Sequence, residues 1–582
     1  MRDPFREYPD GGVDGERTPS PVTARPGASQ ASRLIALAAS VELFRTPEGE
    51  PFATFPVGEH RETAPVKSKA FRRYLVRLYY GDAQATPNAQ AVQDALGVLE
   101  GRAVYEGETL PVYVRVAESD GAIYLDLCDG RWQVVEITRT GWAITSNSPV
   151  KFRRARGMLP LPTPLPGGSV AALDQYVNVG SDADRRLVVA WLLAALRPRG
   201  PYPVLVLHGE QGSAKSTTAR VLRALVDPNT AALRAEPRDE HDLVIAATNG
   251  WTIALDNVSH LPPRLSDALC RLATGGGFAT RELYSDADEV LFDAMRPIIL
   301  NGIEEIATRG DLLDRSLLVD LPAIREEERR AEAEFWQTFE AARPAILGAL
   351  LDGVVTALRQ LPGVRLPRLP RMADFAMWTT AAAPALGWGE EAFLDAYMTN
   401  REAANDLTLD ASPVAAPVRA LASEGDFEGT ATALLNALQK LVGDSITRQR
   451  GWPKGARGLS GILRRLAPNL RAVGVRVEFP AGHHPRTIRV TTVPTVPTVP
   501  RRAQGEQGRD ADGHGRDADR DANGGGRDGE SPDSTGHRTQ GDGRDANSPG
   551  DSERLLGLDG VLDIFTADGE RPTVVPLPER RR

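Results

Sequence analysis

The chain has 582 residues, of which 41% are hydrophobic and 25% charged, with a net charge of -9. Such a length divides into several domains, and the apolar share suffices for ordinary globular cores. The acidic balance excludes a protein coated in basic residues, so any nucleic-acid contact must come from local patches. The only two cysteines, Cys128 and Cys270, exclude a disulfide framework and a cysteine-based zinc site.

Residues 1–31 are rich in Pro, Gly and charge and lack an apolar signal core, which predicts a disordered leader and a cytoplasmic protein. Residues 32–157 mix strand-like stretches ("VELF", "VYVRV", "AIYLDL") with helical ones over Phe71–Tyr80 and Ala89–Leu99, the pattern of an α+β domain. In "IYLDLCDG", Asp126 and Asp129 read as a turn rather than a metal-binding carboxylate cluster, so no primase chemistry is expected. Trp132 and Trp142 read as core, with the basic run "KFRRARG" (Lys151–Gly157) as a candidate binding surface. A Pro/Gly segment over residues 158–170 reads as a linker. The longest apolar run, Leu187–Leu196, is shorter than the roughly 20 residues of a membrane span. It reads as a buried helix capped by Ser181, with Asp182 and Asp184 in its first turn.

Residues 171–324 alternate strands and helices, which predicts a parallel α/β sheet with strands at Val204–Leu207, Thr252–Leu255, Pro297–Leu300 and Leu317–Leu321. The first of these runs into "GEQGSAKS", a strand–loop–helix with small residues and a Lys-Ser pair. Triply charged phosphate needs several backbone N–H donors close together and a helix N-terminus. The stretch therefore predicts an ATP site formed by Gly209, Glu210, Gln211, Gly212, Ser213, Ala214, Lys215, Ser216 and Thr217. Lys215 is expected on the β- and γ-phosphates and the Ser216 hydroxyl on Mg²⁺. Ala214 stands where glycine is usual, and alanine is small enough there provided its φ is not positive.

In "WTIALDN" a strand ends in Asp256, placed to hold Mg²⁺, followed by Asn257, which can orient a water but cannot take its proton. In "RPIILNG" another strand ends in Asn301, suited to bonding a γ-phosphate or the attacking water. Arg315 precedes the next strand, where an arginine can reach a neighbouring subunit's nucleotide, with Arg309 as runner-up. "GGGFATRELYSDADEVLF" predicts a hairpin carrying Arg281 towards a DNA phosphate.

Residues 325–410 are helical in pattern. Residues 411–490 combine two amphipathic helices, Thr430–Leu441 and Gly458–Val473, with two strands, a winged-helix pattern. That module carries Arg448, Arg450, Lys454, Arg457, Arg464 and Arg465 and, after residue 443, only Asp444 and Glu478 as acids, which predicts DNA contact. His483 and His484 read as a turn. Residues 491–550 contain no Leu, Ile, Phe, Tyr or Trp, so a disordered tail is expected over 491–582, with an apolar island at 555–565.

Read in order, the Gly209–Ser216 loop, the Asp256-Asn257 strand, the glycine-led hairpin, the Asn301 strand and Arg315 resemble AAA+ P-loop ATPases of the superfamily three helicase group. The closest look is that of the C-terminal module of poxvirus-type and phage-type primase-helicases. The resemblance spans roughly residues 171–490, and "RMADFAMW…EEAFLDAYMTNREAAN" is similar to the helical segment of phage proteins of this type. It implies a homo-oligomeric ring, hexameric or related, that uses ATP and Mg²⁺ to move on single-stranded or forked DNA. The expectation is a helicase or translocase of a phage-like mobile element acting in replication. A replication partner would bind the N-terminal domain or the tail, and no membrane is involved. The alternatives are a nucleotide-dependent DNA switch or loader with little hydrolysis, and a partner-binding protein with a degenerate loop.

Overall fold

The structure, a computed structural model, describes residues 28–259, 261–281, 289–292, 294–302, 310–389, 391–449, 451–480 and 486–493. Residues 1–27, Arg309, Arg450, His483, His484 and the tail from 494, including the island at 555–565, lie outside the described residues.

The N-terminal part opens with α1 (Gln30–Leu37), β1 (Glu42–Arg45), β2 (Pro51–Val57), β3 (His60–Pro65), α2 (Lys69–Ala83), α3 (Ala89–Tyr105) and β4 (Glu108–Thr109). Its sheet runs β3-β2-β1-β4. Ser68 and Asn88 cap α2 and α3 by accepting from Phe71 N and Ala91 N, which satisfies donors that a helix start leaves open. The apolar faces of the three helices bury Leu34, Phe71, Leu75, Leu96 and Leu99 against Phe55 as a separate core.

A second group follows: β5 (Val112–Tyr113), β6 (Val116–Ser119), β7 (Ala122–Asp126), β8 (Val134–Ile137), β9 (Trp142–Thr145) and β10 (Lys151–Phe152). Strands β6 to β9 form an antiparallel meander. The expected strand "VYVRV" is broken in two because Arg115 adopts φ 65°. Val116, Ile123, Leu125, Val135 and Ile137 belong to the same core as the α/β region that follows. The α+β region thus divides near residue 111, and its second half packs with what comes after it. The Pro/Gly segment is correspondingly packed: Leu161 N donates to Leu127 O, and Leu165 N to Pro344 O. A Cβ on Gly168 would stand 2.0 Å from Ala345 O, and one on Gly348 1.8 Å from Leu165 O, so both glycines allow backbone to meet backbone.

The α/β unit contains α4 (Asp182–Ala195), β11 (Val204–His208), α5 (Lys215–Val226), α6 (Glu240–Asn249), β12 (Ile253–Leu255), α7 (Pro263–Thr274), β13 (Phe278–Arg281), β14 (Glu289–Phe292), β15 (Ile298–Asn301), α8 (Gly310–Leu313) and β16 (Ser316–Asp320). The sheet order is β12-β15-β11-β16, with every pairing parallel. Parallel strands are covered on both faces, which is why these runs are apolar without alternation. Helix α4 carries the expected Ser181 cap and is buried continuously from Leu187 to Ala195. β13 and β14 form the expected antiparallel hairpin.

Helices α9 (Glu332–Gln360), α10 (Ala373–Ala382) and α11 (Ala392–Asp410) follow, then α12 (Ala415–Glu424), β17 (Phe427–Thr430), α13 (Ala431–Leu441), α14 (Asp444–Thr447), α15 (Ala456–Ala472), β18 (Val475–Glu478) and β19 (Thr487–Thr492). The last part has its own core, in which Leu434, Leu435 and Leu438 meet Leu459, Leu463, Leu466 and Leu470, whereas Leu441 is 39% exposed. Its sheet order is β17-β19-β18, and β17 is a strand the apolar pattern does not reveal. Among the described residues, Glu332–Gly363 is a helix long and apolar enough to cross a membrane, although the Leu187–Leu196 run is not; 67% of its most apolar window is buried inside the protein.

Candidate functional site

Three parallel strands deliver polar residues to one edge of the sheet. β11 leads through His208 into the 209–214 loop and α5; β12 leads to Asp256; β15 ends in Asn301 between them. The C-terminal ends of parallel strands form a crevice in which helix N-termini and strand-end side chains converge.

The loop is shaped by backbone geometry. Gly209 has φ 147°, and a Cβ there would lie 2.2 Å from Leu321 O, so only glycine lets the loop pass the end of β16. Gly212 has φ 88°. Ala214 caps α5 with φ 62° and ψ 29° and makes no side-chain cap bond. The condition under which alanine replaces glycine without strain is therefore not met, and this residue is in the left-handed region. That conformation costs a non-glycine residue roughly 1 kcal/mol. Ala214→Gly is expected to raise the stability by about 0.5–1 kcal/mol, seen as a higher melting temperature, with the loop's ligand binding retained.

The loop is held from outside as well. Asn178 Nδ2 donates to Ser213 O at 3.2 Å and to Pro322 O at 2.6 Å, and Ile324 N donates to Gly212 O at 3.4 Å. His208 Nδ1 lies 3.3 Å from Asp320 Oδ1 at the loop's entrance. Sequence reading missed Asn178, which lies well upstream and carries no motif.

Inside the site, Lys215 Nζ donates to Gly209 O at 2.7 Å and Glu210 O at 2.8 Å, with Ser213 Oγ at 3.4 Å. Ser216 Oγ donates to Asp256 Oδ1 at 2.9 Å. Asn301 Nδ2 lies 3.4 Å from Ser216 Oγ, while Asn301 Oδ1 accepts from Asn257 N at 3.2 Å. Asn257 has φ 54°, a conformation that asparagine tolerates better than most residues. Asn301 is 2% exposed, so its amide is fixed by these partners. Lys215, Ser216, Asp256, Asn257 and Asn301 are thus brought together.

Arg315 is not among them. Val204 pairs with Ser316 and His208 with Asp320, so Arg315 sits at the opposite end of β16. The five residues of β16 put it roughly 16 Å from the loop. It is half-buried, donates to Asp311 O at 2.7 Å and has no carboxylate partner among the described residues. Asp314, next to it in the chain, is taken by others: it holds Arg401 at 2.6 Å and pairs with Arg371.

The basic residues are distributed unevenly. Lys454, Arg457, Arg464 and Arg465 are exposed. Arg448 is exposed beside Asp444 at 3.4 Å. Arg457, Arg464 and Arg471 recur every seven residues along α15 and so share one face. The Arg464 guanidinium lies 4.6 Å over the Phe479 ring. Arg465 lines a cleft of about 480 Å³ with Gly310, Asp311 and Thr408. Arg489 is taken up by Glu428 at 3.0 Å. Arg281 ends β13, and its backbone alone is described.

The N-terminal basic run is largely held internally, with Arg156 exposed. Lys151 Nζ bonds Glu42 at 2.7 Å, Arg153 donates to Thr248 O at 2.7 Å, and Arg154 pairs with Asp126 at 2.6 Å while lying 3.9 Å over Trp132. Asp126 also accepts from Cys128 N, and Asp129 from Gln133 N, so both carboxylates serve the turn. Trp132 and Trp142 are half-buried rather than core, and Trp142 Nε1 donates to Asp352 at 2.9 Å.

Residues 170–409 match the family model of the actinomycete integrative conjugative element replication protein. Residues 414–504 match the model of that protein's C-terminal domain. Together the matches identify that replication protein family across these two spans. No curated protein matches the chain. Among solved structures, the apo A form of the NrS-1 C-terminal region is 12% identical, with 79% of this chain and 97% of that chain covered at a TM-score of 0.36. The SCCmec type IV Cch active helicase is 11% identical, with 78% and 93% covered at a TM-score of 0.39.

Proposed function

We propose that this replication protein of a mobile element is an ATP-driven DNA motor of the P-loop AAA+ class, working as a ring in which each site is completed by a neighbour. The observation that carries the reading is the convergence of Ser216, Asp256 and Asn301 from three elements at the carboxyl edge of one parallel sheet, with Ser216 Oγ and Asp256 Oδ1 2.9 Å apart.

A hydroxyl and a carboxylate facing each other are hard oxygen donors that suit Mg²⁺, held through one or two protein groups and the phosphates of its nucleotide. When bound, that ion neutralises charge on the phosphate oxygens. The Lys215 ammonium rests on loop carbonyls, and phosphate oxygens are stronger acceptors for it because the bond is then charged at both ends. The loop N–H groups and the N-terminus of α5 supply further donors. Asn301, held by Asn257 N, offers its amide to a γ-phosphate or a water. Neither Asn257 nor Asn301 can accept the proton, so these residues orient and do not act as bases.

Arg315, distant from its own site and without a carboxylate partner among the described residues, suits a role in trans. In the last module the order α12, β17, α13, α15, β18, β19 and the sheet β17-β19-β18 support a winged helix. Its α15 arginines then meet DNA phosphates.

Mixing separates this ring from a monomeric enzyme. Arg315→Ala protein is expected to bind ATP normally and lose turnover by about a hundredfold or more. Mixed with Lys215→Ala protein, it regains activity, because the second variant supplies Arg315 to the first one's intact site. Turnover unaffected by Arg315→Ala contradicts the assignment. A second reading, a nucleotide switch with little hydrolysis, is favoured by Asn257 standing where a carboxylate is usual.

A further inference from the structure

Helix α2 carries an uncompensated cationic face. From Thr63 to Gly81 the chain has Lys67, Lys69, Arg72, Arg73 and Arg77 and no Asp or Glu. Lys67 is neutralised by Glu100 at 2.7 Å, and the acid that ends the stretch, Asp82, is occupied by Arg33. Lys69, Arg72, Arg73 and Arg77 have no carboxylate within ion-pair reach among the described residues.

Their arrangement follows from the helix period. At 3.6 residues per turn, Lys69, Arg73 and Tyr80 fall within about 40° of one another, with Arg72 and Arg77 flanking. The opposite face buries Phe71, Tyr74, Leu75 and Tyr79. Lys69, Arg73 and Arg77 are exposed, Arg72 is half-buried, and Tyr80 is 56% exposed. The ridge runs roughly 16 Å and ends in an aromatic ring in solvent. Packing onto the core therefore fixes α2 without using this face. The contrast with Lys151, Arg153 and Arg154 is informative, since each of those is taken up by an internal partner.

We infer that the outer face of α2 is a second DNA-contact surface, on the N-terminal part, which grips single-stranded DNA by its phosphates and stacks a base on Tyr80. An array of cations without acids, in a chain of net charge -9, marks a place where a polyanion is bound. The exposed aromatic selects single strands, because a base inside a duplex has no free face to offer.

The test is fluorescence anisotropy of the full chain with labelled oligothymidylate at several salt concentrations. It is run in the native background and in an Arg457→Glu/Arg464→Glu background that weakens the C-terminal module. Arg73→Glu/Arg77→Glu is expected to weaken binding about tenfold or more in both backgrounds. It should also flatten the slope of log affinity against log salt by about 1.4, two single-strand phosphate contacts. Tyr80→Ala is expected to weaken binding by roughly five- to a hundredfold with the slope unchanged. ATP binding and the melting temperature stay as in the native chain, because the altered side chains are exposed and α2 belongs to a core separate from that of the nucleotide loop. Should the double reversal lower the melting temperature, Arg73→Gln/Arg77→Gln carries the same expectation. Unchanged affinity and slope in both backgrounds overturn the inference. An equal loss for a blunt duplex overturns its single-strand assignment.

Discussion

Lys215→Ala is expected to remove ATP binding at working concentrations and to lower turnover by at least about a hundredfold, with the melting temperature nearly unchanged. The ammonium makes three contacts, all within its own loop. It supports no packing, so its removal leaves the fold in place. It is also the one cation within the loop, and a triphosphate brought there without it loses a charge-assisted bond that nothing nearby replaces. Equilibrium binding of a fluorescent ATP analogue, with a thermal melt alongside, separates loss of the site from loss of the fold.

Asp227→Ala is expected to destabilise the protein by about 3–5 kcal/mol, a fall in melting temperature large enough to leave part of the chain unfolded at 37 °C. Asp227 is fully buried, as is Arg115, whose Nε donates to Asp227 Oδ1 at 3.1 Å. Asp227 Oδ2 accepts from Trp251 N and Thr252 N, each at 3.0 Å. Arg223, 3.8 Å from the same carboxylate, is itself buried deeply enough to lower its pKa to about 10. Removing the acid leaves two guanidiniums without their counter-charge and two backbone donors without an acceptor. The effect extends to the site, because Trp251 and Thr252 lead directly into β12 and Asp256. Circular dichroism melts of the native and substituted chains measure the loss.

That network shows where sequence reading reaches its limit. Arg115 and Asp227 are 112 residues apart, and neither belongs to a motif. Their pairing depends on the 112–161 region docking against α5, and the Pro/Gly segment gave no sign of this. Proline and glycine look alike in a sequence whether the chain hangs free or lies along a surface. Gly168 and Gly348 are small because backbones touch there, a reason visible only in three dimensions. Ala214 is a similar case: alanine favours negative φ, and the loop imposes a positive one that its residue type does not announce.

The strand-end residues were legible for the opposite reason. A strand buried on both faces must be apolar throughout, so a polar residue where the run stops stands out, as Asp256 and Asn301 do. Glycine at 209 and the Lys-Ser pair at 215–216 carry their own geometry. Adjacency alone was hidden: Asn301 lies between the other two strand ends because β15 inserts between β12 and β11. Charge was the least transparent signal. Lys151, Arg153 and Arg154 are spent on internal partners, whereas most of the cations of α2 face solvent.

The most direct measurement is ATP turnover by the full chain with Mg²⁺, with and without single-stranded DNA, alongside Lys215→Ala. Turnover that rises severalfold with DNA and vanishes in the substituted protein is the expected result. Turnover that ignores both DNA and Lys215→Ala contradicts the motor and its site together.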